Sequence, residues 1–481
     1  MVGEGRAGRG SGQGRSGGAR VLTHRGVRSV TQGPRGRGRA LCSAIVRNPF
    51  SSPLWRNQAF LRVWSAATVS IFGTLITRIA LPLLAILTLA AGPIEVAVLR
   101  GIDLAATLVV ALVAGAWVDR LRRRPVLIWA DLGRAVLLGS IPLAFVLGAL
   151  TFIQLLVVAA LTAVLTAFFD AADNAYLPTV VERERLVEAN SALAASGSVA
   201  EFAGFGLSGI LVQVMTGPIT ILINAVTYVV SAVLLMSIRQ EEAAPPAVAD
   251  REPVIDEIRH GLGLVRHDGT LRAFAIAQML LAAGWGIFGA TFFLFALNDL
   301  GLSPAAVGIV AAVGGGSSFI GAVVATRSTR RWGVGRVAIA GRLLSALGML
   351  FIPLAPAGMP VIALVCLLAQ QLIADSAETV YDITEVSVRQ TFVRDRELGR
   401  VASTFRVLAV AAQLAATIAA GLLAEVVGLR ATAFLAPLGG LIAAGVLWWS
   451  PVRFLRDLPS ADRRTAAEAV VDSERDRPVG G

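Results

Sequence analysis

An all-α membrane protein of twelve transmembrane helices, built as two pseudo-symmetric six-helix bundles, is the fold this sequence predicts. Three observations predict it. Hydrophobic residues make up 55% of the 481-residue chain and charged residues only 16%, against about 25% charged in a soluble domain. From residue 60 the chain divides into apolar stretches of the roughly 20 residues that a bilayer core about 30 Å thick requires. The two halves also carry matching acidic motifs at matching places.

Residues 1–59 read as a disordered, Arg/Gly-rich cytoplasmic tail. The runs MVGEGRAGRGSGQGRSGGAR and GPRGRGRA have no apolar periodicity and cannot bury a core. They lack the apolar stretch of an export signal. An extension from a misassigned start codon and an Arg-Gly tract for nucleic acid compete for the same residues. The N-terminal bundle follows at 60–238, with spans at 62–89, 94–117, 126–148, 152–176, 191–214 and 217–238. Residues 239–271 form a cytoplasmic linker. It opens on the Pro-rich RQEEAAPPAVADREP and continues with apolar residues at 254, 255, 258, 262, 264 and 265, the spacing of an amphipathic surface helix. The C-terminal bundle occupies 272–450, with spans at 272–297, 304–326, 336–355, 360–382, 401–424 and 430–450. The mixed-charge remainder, 451–481, reads as a second disordered cytoplasmic tail.

Charge gives this chain an orientation. All 43 strongly basic residues are Arg, and the formal net charge is +11. Residues 1–50 hold ten Arg against one Glu, so most of the excess belongs to the tail. Elsewhere the connectors alternate. AGPIE, LGALT, MTGPI, LNDLGLSP, APAGMP and VVGLR are nearly uncharged, with Arg430 the one basic residue on that side. The other side carries Arg120, Arg122 to Arg124, Arg183, Arg185, Arg327, Arg330, Arg331, Arg336, Arg389, Arg394, Arg396 and Arg400. The positive-inside rule then places the Arg-rich side and both chain ends in the cytoplasm.

An internal repeat relates the halves. FFDAADNAY at 168–176 and IADSAETVY at 373–381 share Asp, Asp or Glu three residues on, and Tyr three further. The pattern joins Asp170, Asp173 and Tyr176 to Asp375, Glu378 and Tyr381. GAWVDRLRRRP after the second span faces GAVVATRSTRRWG after the eighth, with Ala325 at the place of Asp119. Parallel six-helix repeats are one transporter architecture; chance likeness between small-residue-rich helices is the competing reading.

The stretch GAWVDRLRRRPVLIWADLGRAVLL at 115–138 resembles the loop between helices 2 and 3 of the major facilitator superfamily. Gly115, Asp119, Arg120, Arg123 and Arg124 match that pattern, while Arg122 replaces its second Gly. The extension through Asp131 and Arg134 resembles the enterobactin-exporter-like and macrolide-efflux-like branch, as do YLPTVVERERLVEANSAL, IRHGLGLVRHDGTLRAF and VRQTFVRDRELGRVAS. The resemblance runs over roughly 60–450. It implies the major facilitator fold, a central path lined by helices 1, 4, 7 and 10, and a conformational latch at Gly115, Asp119, Arg120, Arg123, Arg124, Asp131 and Arg134. A plain positive-inside anchor is the alternative for the arginines. Gly204, Gly206 and Gly209 resemble the glycine motif of drug:proton antiporters, with Phe205 where that family has Pro.

Ionisable groups inside a span cost about 2.5–3.5 kcal/mol on insertion scales and mark candidate sites. Arg78 and Asp103 come out at similar depth in the first two spans. A buried pair between them competes with a substrate role for Arg78. Glu201 falls at the centre of the fifth span, either as a proton carrier or as a neutral carboxyl hydrogen-bonded to a neighbouring helix. Asp170, Asp173, Asp375 and Glu378 could carry protons, bind a cation or pair with Arg134, Arg342 or Arg406 to close the cytoplasmic side. Trp285 in GWGIFGATFF and Gln371 complete the substrate-path candidates. Trp285 suits stacking on an amphipathic substrate or plain helix packing.

No Gly-Lys-Ser phosphate loop, Ser-His-Asp set or metal cluster can be assembled, so the chain is expected not to be an enzyme and to need no cofactor. The expected function is proton-coupled efflux, as a monomer in the cytoplasmic membrane, of an amphipathic small molecule: a drug, a macrolide-like compound or a siderophore. A non-transporting sensor or scaffold on the same fold is the alternative. The expected partners are a small-molecule substrate, the proton gradient and membrane lipid, with no nucleic acid.

Overall fold

The computed structural model describes residues 52–118, 121–239 and 254–456, and every regular element among them is helical. Twelve long helices follow one another among the described residues: α1 Gln58–Leu89, α2 Pro93–Val118, α3 Arg123–Val146, α4 Phe152–Val180, α5 Leu186–Met215 and α6 Gly217–Met236 in the first bundle. The second bundle holds α7 Gly269–Asp299, α8 Pro304–Trp332, α9 Val334–Leu354, α10 Pro360–Phe392, α11 Asp395–Val427 and α12 Leu429–Trp449. Among the described residues eleven of them meet the length and hydropathy of a membrane span. The twelfth, α2, carries Glu95, Arg100 and Asp103 in its first half and the apolar stretch LAATLVVALVAGAWV at 104–118. The expected twelve-helix, two-bundle fold is the one observed.

Helix ends differ from the expected span edges where polar side chains cap them. Asp268 Oδ1 accepts from the amides of Thr270 (2.7 Å) and Leu271 (2.9 Å), so α7 starts at 269 rather than 272. Glu378 and Arg389 fall inside a helix that runs on to Phe392, ten residues past the apolar stretch, because helical bonding continues after hydrophobicity ends. Packed structure also extends past both expected tail boundaries. Leu54 is buried, and Trp55 meets Phe60 and Trp64 edge to face. Beyond α12, Val452 is buried and the carbonyls of Leu455 and Arg456 accept from Gly335 and Val334 at 2.8 and 3.1 Å. They thereby satisfy amides that the start of α9 leaves open. The expected Arg/Gly-rich segment 1–50 lies outside the described residues.

Asn57 ties the first helix to the fourth. Its Oδ1 accepts from Ala59 and Phe60 amides at 2.9 and 3.2 Å, and its Nδ2 donates to the Val180 carbonyl at 2.9 Å. Asn57→Ala is expected to cost about 1 kcal/mol for the lost cap alone. A lowered melting temperature of the detergent-solubilised protein checks this.

Small polar residues hold the first bundle together. Ser208 Oγ donates to the Ile76 carbonyl (2.8 Å), Asn224 Nδ2 to Thr77 Oγ1 (2.7 Å), and Thr74 Oγ1 shares a 2.9 Å bond with the Tyr228 hydroxyl. With no water in a bilayer core, such groups need protein partners. In the second bundle Thr417 Oγ1 donates to the Gly286 carbonyl (3.2 Å) and Ser376 Oγ to that of Ser317 (2.8 Å). A linker helix, Val254–His267, lies against α11: Gly261 packs on Arg400 and Thr404, and Val265 is buried.

The bundles meet through α2 with α11 and α5 with α8. The hydrogen bonds between them lie at the end of the charge-poor connectors. Ala305 N donates to Gln213 Oε1 (3.1 Å), and Ile94 N to Glu425 Oε1 (3.3 Å). Gly209 and Gly308 cross there with nothing between their backbones: a Cβ on either would stand 2.9 Å from backbone atoms of the other. Leu294 of α7 packs into the core of the first bundle at the same end. At the Arg-rich end two arginines among the described residues tie the first bundle to itself. Arg124 donates to the Leu235 and Met236 carbonyls (3.0 and 2.8 Å), and Arg62 to that of Ser237 (2.6 Å), which satisfies the open end of α6. The charge-poor end is thus closed by bonds and close backbone packing between the bundles.

Candidate transport site

The intramembrane charges gather between the bundles, but their pairing departs from the depth-based expectation. Asp103 pairs with Arg100, one turn earlier on α2, at 2.8 Å. The Arg78–Asp103 pair does not form. Matching depth leaves helix rotation free, and Arg100 at i−3 already occupies Asp103. Arg78 is exposed at mid-helix and has neither a hydrogen bond nor an ion pair among the described residues. Its charged neighbours are Arg100 and Asp170. Arg100 leans across to α7, where Gly289 makes room for its stem.

On α4, Asp170 is exposed and Asp173 half-buried. Asp170 lies within electrostatic range of Arg134, Arg406 and Arg78. Asp173 lies near Asp170, Asp131 and Arg134. Neither carboxylate forms a salt bridge among the described residues, so the expected closing pairs with Arg134, Arg342 or Arg406 are not made in this conformation. Glu201 is exposed on α5 and faces Gly315 of α8. It accepts no hydrogen bond among the described residues, which removes the reading of a carboxyl bonded to a neighbouring helix.

The opposite wall is more ordered. Residues Gln371–Asp375 form one π-turn inside α10, a distortion frequent at functional sites. It lets Gln371 Nε2 donate to Asp375 Oδ2 at 3.1 Å, with Gly314 of α8 packed against the pair. One turn on, Glu378 is held by two helices: it accepts from Trp285 Nε1 of α7 at 2.6 Å and from Ser345 Oγ of α9 at 3.2 Å. Trp285 heads an aromatic ladder. Its ring meets Phe288 edge to face at 5.2 Å, and Phe288 stacks on Phe292 at 4.5 Å. Ser345, Phe288 and Phe292 were not legible as site residues, because a lone Ser or Phe in an apolar helix reads as packing.

Of the expected latch, Asp119 and Arg120 lie outside the described residues, Gly115 falls in α2, and Arg123 opens α3 half-buried. Arg124 caps α6, as above. Asp131 and Arg134 form a fully buried 2.5 Å pair within α3. The Arg134 guanidinium lies between the rings of Phe169 and Tyr228, at 4.3 and 4.2 Å. These contacts stay inside the first bundle. In the second bundle Ala325 is buried against Val337 and Val380. Arg342, the counterpart of Arg134, is also fully buried and lies 4.0 Å over the Tyr381 ring. The repeat shows in the burial of both motif tyrosines, Tyr176 and Tyr381.

The family model of the Major Facilitator Superfamily matches residues 63–377. The chain belongs to the major facilitator superfamily. Among similar members, the "Multidrug efflux pump Tap" of Mycolicibacterium fortuitum is 28% identical over 350 residues, 71% of this chain and 83% of that protein. The "Uncharacterized MFS-type transporter YvqJ" of Bacillus subtilis (strain 168) is 25% identical over 253 residues, 50% of this chain and 59% of that one. Solved structures share the fold. A mutant of the nucleoside transporter NupG superposes with a TM-score of 0.68 at 13% identity, covering 81% of this chain and 99% of its own. A bacterial homologue of the iron transporter ferroportin, in an inward-facing state, gives 0.65 at 18% identity, covering 82% and 99%. At such identities the likeness concerns the major facilitator fold alone.

Proposed function

We propose that this major facilitator protein exports an amphipathic small molecule in exchange for protons, by rocking its two bundles in the plasma membrane with both chain ends in the cytoplasm. The observation that carries the reading is a set of intramembrane carboxylates from both bundles, Asp170, Asp173, Glu201 and Asp375, none in a salt bridge among the described residues, with Glu378 bonded to the Trp285 that heads an aromatic ladder. The excess of Arg at the end opposite the charge-poor one supports a cytoplasmic mouth, and the similarity to an efflux pump supports the outward direction.

Glu378 is the carboxylate best placed to couple the two fluxes. Its charge strengthens the bonds it accepts from Trp285 and Ser345. Protonation weakens both and releases the Trp285 ring that heads the ladder. A proton is thus exchanged where an aromatic cargo would stack. Glu201, Asp170, Asp173 and Asp375 are the further candidate carriers.

The test is dye efflux from proteoliposomes under an imposed proton gradient. Glu378→Gln is expected to lower gradient-driven flux about tenfold, equivalent to ~1.4 kcal/mol, while exchange of labelled for unlabelled dye persists. Full coupling in Glu378→Gln removes Glu378 as the carrier, and the same measurement on Glu201→Gln decides for that residue. Wild-type flux that ignores collapse of the gradient would defeat proton exchange altogether.

A further inference from the structure

Two stretches of the second bundle, 321–346 and 428–456, contain arginines and no acid. The fold brings them together at the Arg-rich end. The segment after α12 turns back onto the junction of α8 and α9, where the carbonyls of Leu455 and Arg456 accept from Gly335 and Val334 at 2.8 and 3.1 Å. A Cβ on Gly333 would stand 3.2 Å from the Cα of Arg456. Around this junction lie Arg327, Arg330 and Arg331 in the last two turns of α8, Arg336 in the first turn of α9, and Arg453 and Arg456 beyond α12. All six are exposed, and none forms an ion pair or a side-chain hydrogen bond among the described residues. Asp457, which follows outside the described residues, is one acid against the six. Asp268, beside the Gly269 that packs on Pro451, is already occupied capping α7.

Elsewhere at this end many arginines have partners. Arg185 meets Glu182 at 3.3 Å, Arg389 meets Glu385 at 3.6 Å and Arg394 meets Glu397 at 2.6 Å, while Arg62 and Arg124 close α6. The junction is where positive charge accumulates without one. Two of its guanidinium groups lie against rings: Arg453 is 4.4 Å over Phe454 and Arg331 is 5.7 Å over Trp332. Both rings are exposed, as is Trp449 in the last turn of α12. Exposed aromatic rings at the end of a span sit at the level of the lipid headgroups, so guanidinium groups against them are held at the depth of lipid phosphate.

We infer that this junction binds an anionic phospholipid, whose phosphate is gripped by arginines from both stretches. The planar fork of Arg matches two phosphate oxygens with parallel bonds, and basic pockets between membrane helices recognise lipid headgroups in this way. The exposed rings favour a lipid over a free phosphate, which has no use for them. A lipid without net charge brings its own ammonium group into an already positive patch. The inference requires only that the chain spans a membrane, and neither cargo nor proton coupling enters it.

Native mass spectrometry of the purified full chain in detergent micelles, titrated with phosphatidylglycerol or phosphatidylethanolamine, tests it. Wild type is expected to hold phosphatidylglycerol saturably and about tenfold tighter than phosphatidylethanolamine, and inorganic phosphate at the same concentration should not displace it. The triple variant Arg331→Gln, Arg336→Gln, Arg456→Gln should weaken phosphatidylglycerol about tenfold and leave phosphatidylethanolamine unchanged. Arg122→Gln, Arg183→Gln, Arg239→Gln removes the same charge from the same end of the first bundle and should leave binding unchanged. The inference is overturned if wild type holds both lipids equally, if inorganic phosphate displaces the lipid, or if the junction variant binds as wild type does. Equal loss in the two triple variants overturns it as well, since net charge rather than this junction would then attract the lipid. The wild-type comparisons need no variant, and because the substituted side chains make no bonds among the described residues, both variants are expected to melt with the wild type.

Discussion

Gly209→Val is expected to hold the charge-poor end open and to lower transport severely. In the closed arrangement a Cβ at 209 would stand 2.9 Å from the Cα and N of Gly308. Both are backbone atoms of a helix, so no rotamer change can relieve the contact. Overpacking of this kind costs about 1–3 kcal/mol. Only the closed state bears that cost, so the equilibrium between states should shift by roughly 5–150-fold. Leu294 supplies the readout. It is 2% exposed and buried against the first bundle at the same end. A Leu294→Cys probe, placed in a Cys42→Ala, Cys366→Ala background, is expected to react faster with a membrane-impermeant maleimide once Gly209→Val is added. The control is Gly316→Val on the same partner helix, where a new Cβ meets nothing within 4 Å. Equal labelling in the two backgrounds, with transport intact, would show that the Gly209–Gly308 crossing is not the closing surface.

The same crossing gives a physical meaning to the glycines of α5. Helices approach this closely only where side chains are absent. Gly209 meets Gly308, Gly206 stands against Ala312, and Gly421 of α11 against Ala97 of α2. Both inter-bundle seams are thus lined by the smallest residues at the closed end. Such seams can part and re-form without rearranging interdigitated side chains, as the proposed rocking of the two bundles requires.

How much of this was legible beforehand divides along physical lines. Span count, bundle division and the amphipathic linker followed from hydropathy and Arg distribution, which depend on composition over many residues. The carboxylates and Trp285 stood out because polar and large aromatic groups are rare inside spans. Pairing was not legible. Arg78 and Asp103 share a depth, but rotation decides contact, and Arg100 at i−3 took the acid. The π-turn at Gln371–Asp375 inserts part of a residue into the helical period, so a wheel drawn with a fixed period misaims every side chain beyond it. The bond from Ser345 to Glu378 spans 33 residues and two helices, and no local pattern encodes it. The packing of Val452 beneath α9 is equally illegible, because one apolar residue after the last span carries no periodicity.

The other large effect is expected at the arginine that follows a glycine in the third helix of each bundle. Arg134 is 1% exposed, and its salt bridge to Asp131 is sealed from water. Asp131→Ile would leave a buried guanidinium without its paired acid, with only the unbonded Asp170 and Asp173 in electrostatic range, a change that costs up to about 3–5 kcal/mol. The flanking Phe169 and Tyr228 rings offset part of this, since each cation–π contact contributes up to about 2 kcal/mol when desolvated. Asp131→Ile is therefore expected to lower the melting temperature strongly, and adding Arg134→Leu should restore much of it, because an apolar pair can replace a buried ionic one at little loss. The second bundle has already made half of that exchange. Ile339 stands where Asp131 does, three residues before Arg342, and Arg342 is 0% exposed with none of its guanidinium nitrogens hydrogen-bonded among the described residues. What supports it is the Tyr381 ring at 4.0 Å and the more distant charge of Asp382. Supplying the missing acid with Ile339→Asp should accordingly raise the melting temperature, the opposite sign to Asp131→Ile one bundle away. If both substitutions lower it equally, then the ring and the Asp382 charge already compensate Arg342 in full. The pairing in the first bundle would in that case be a difference in means between the halves rather than a deficit in the second.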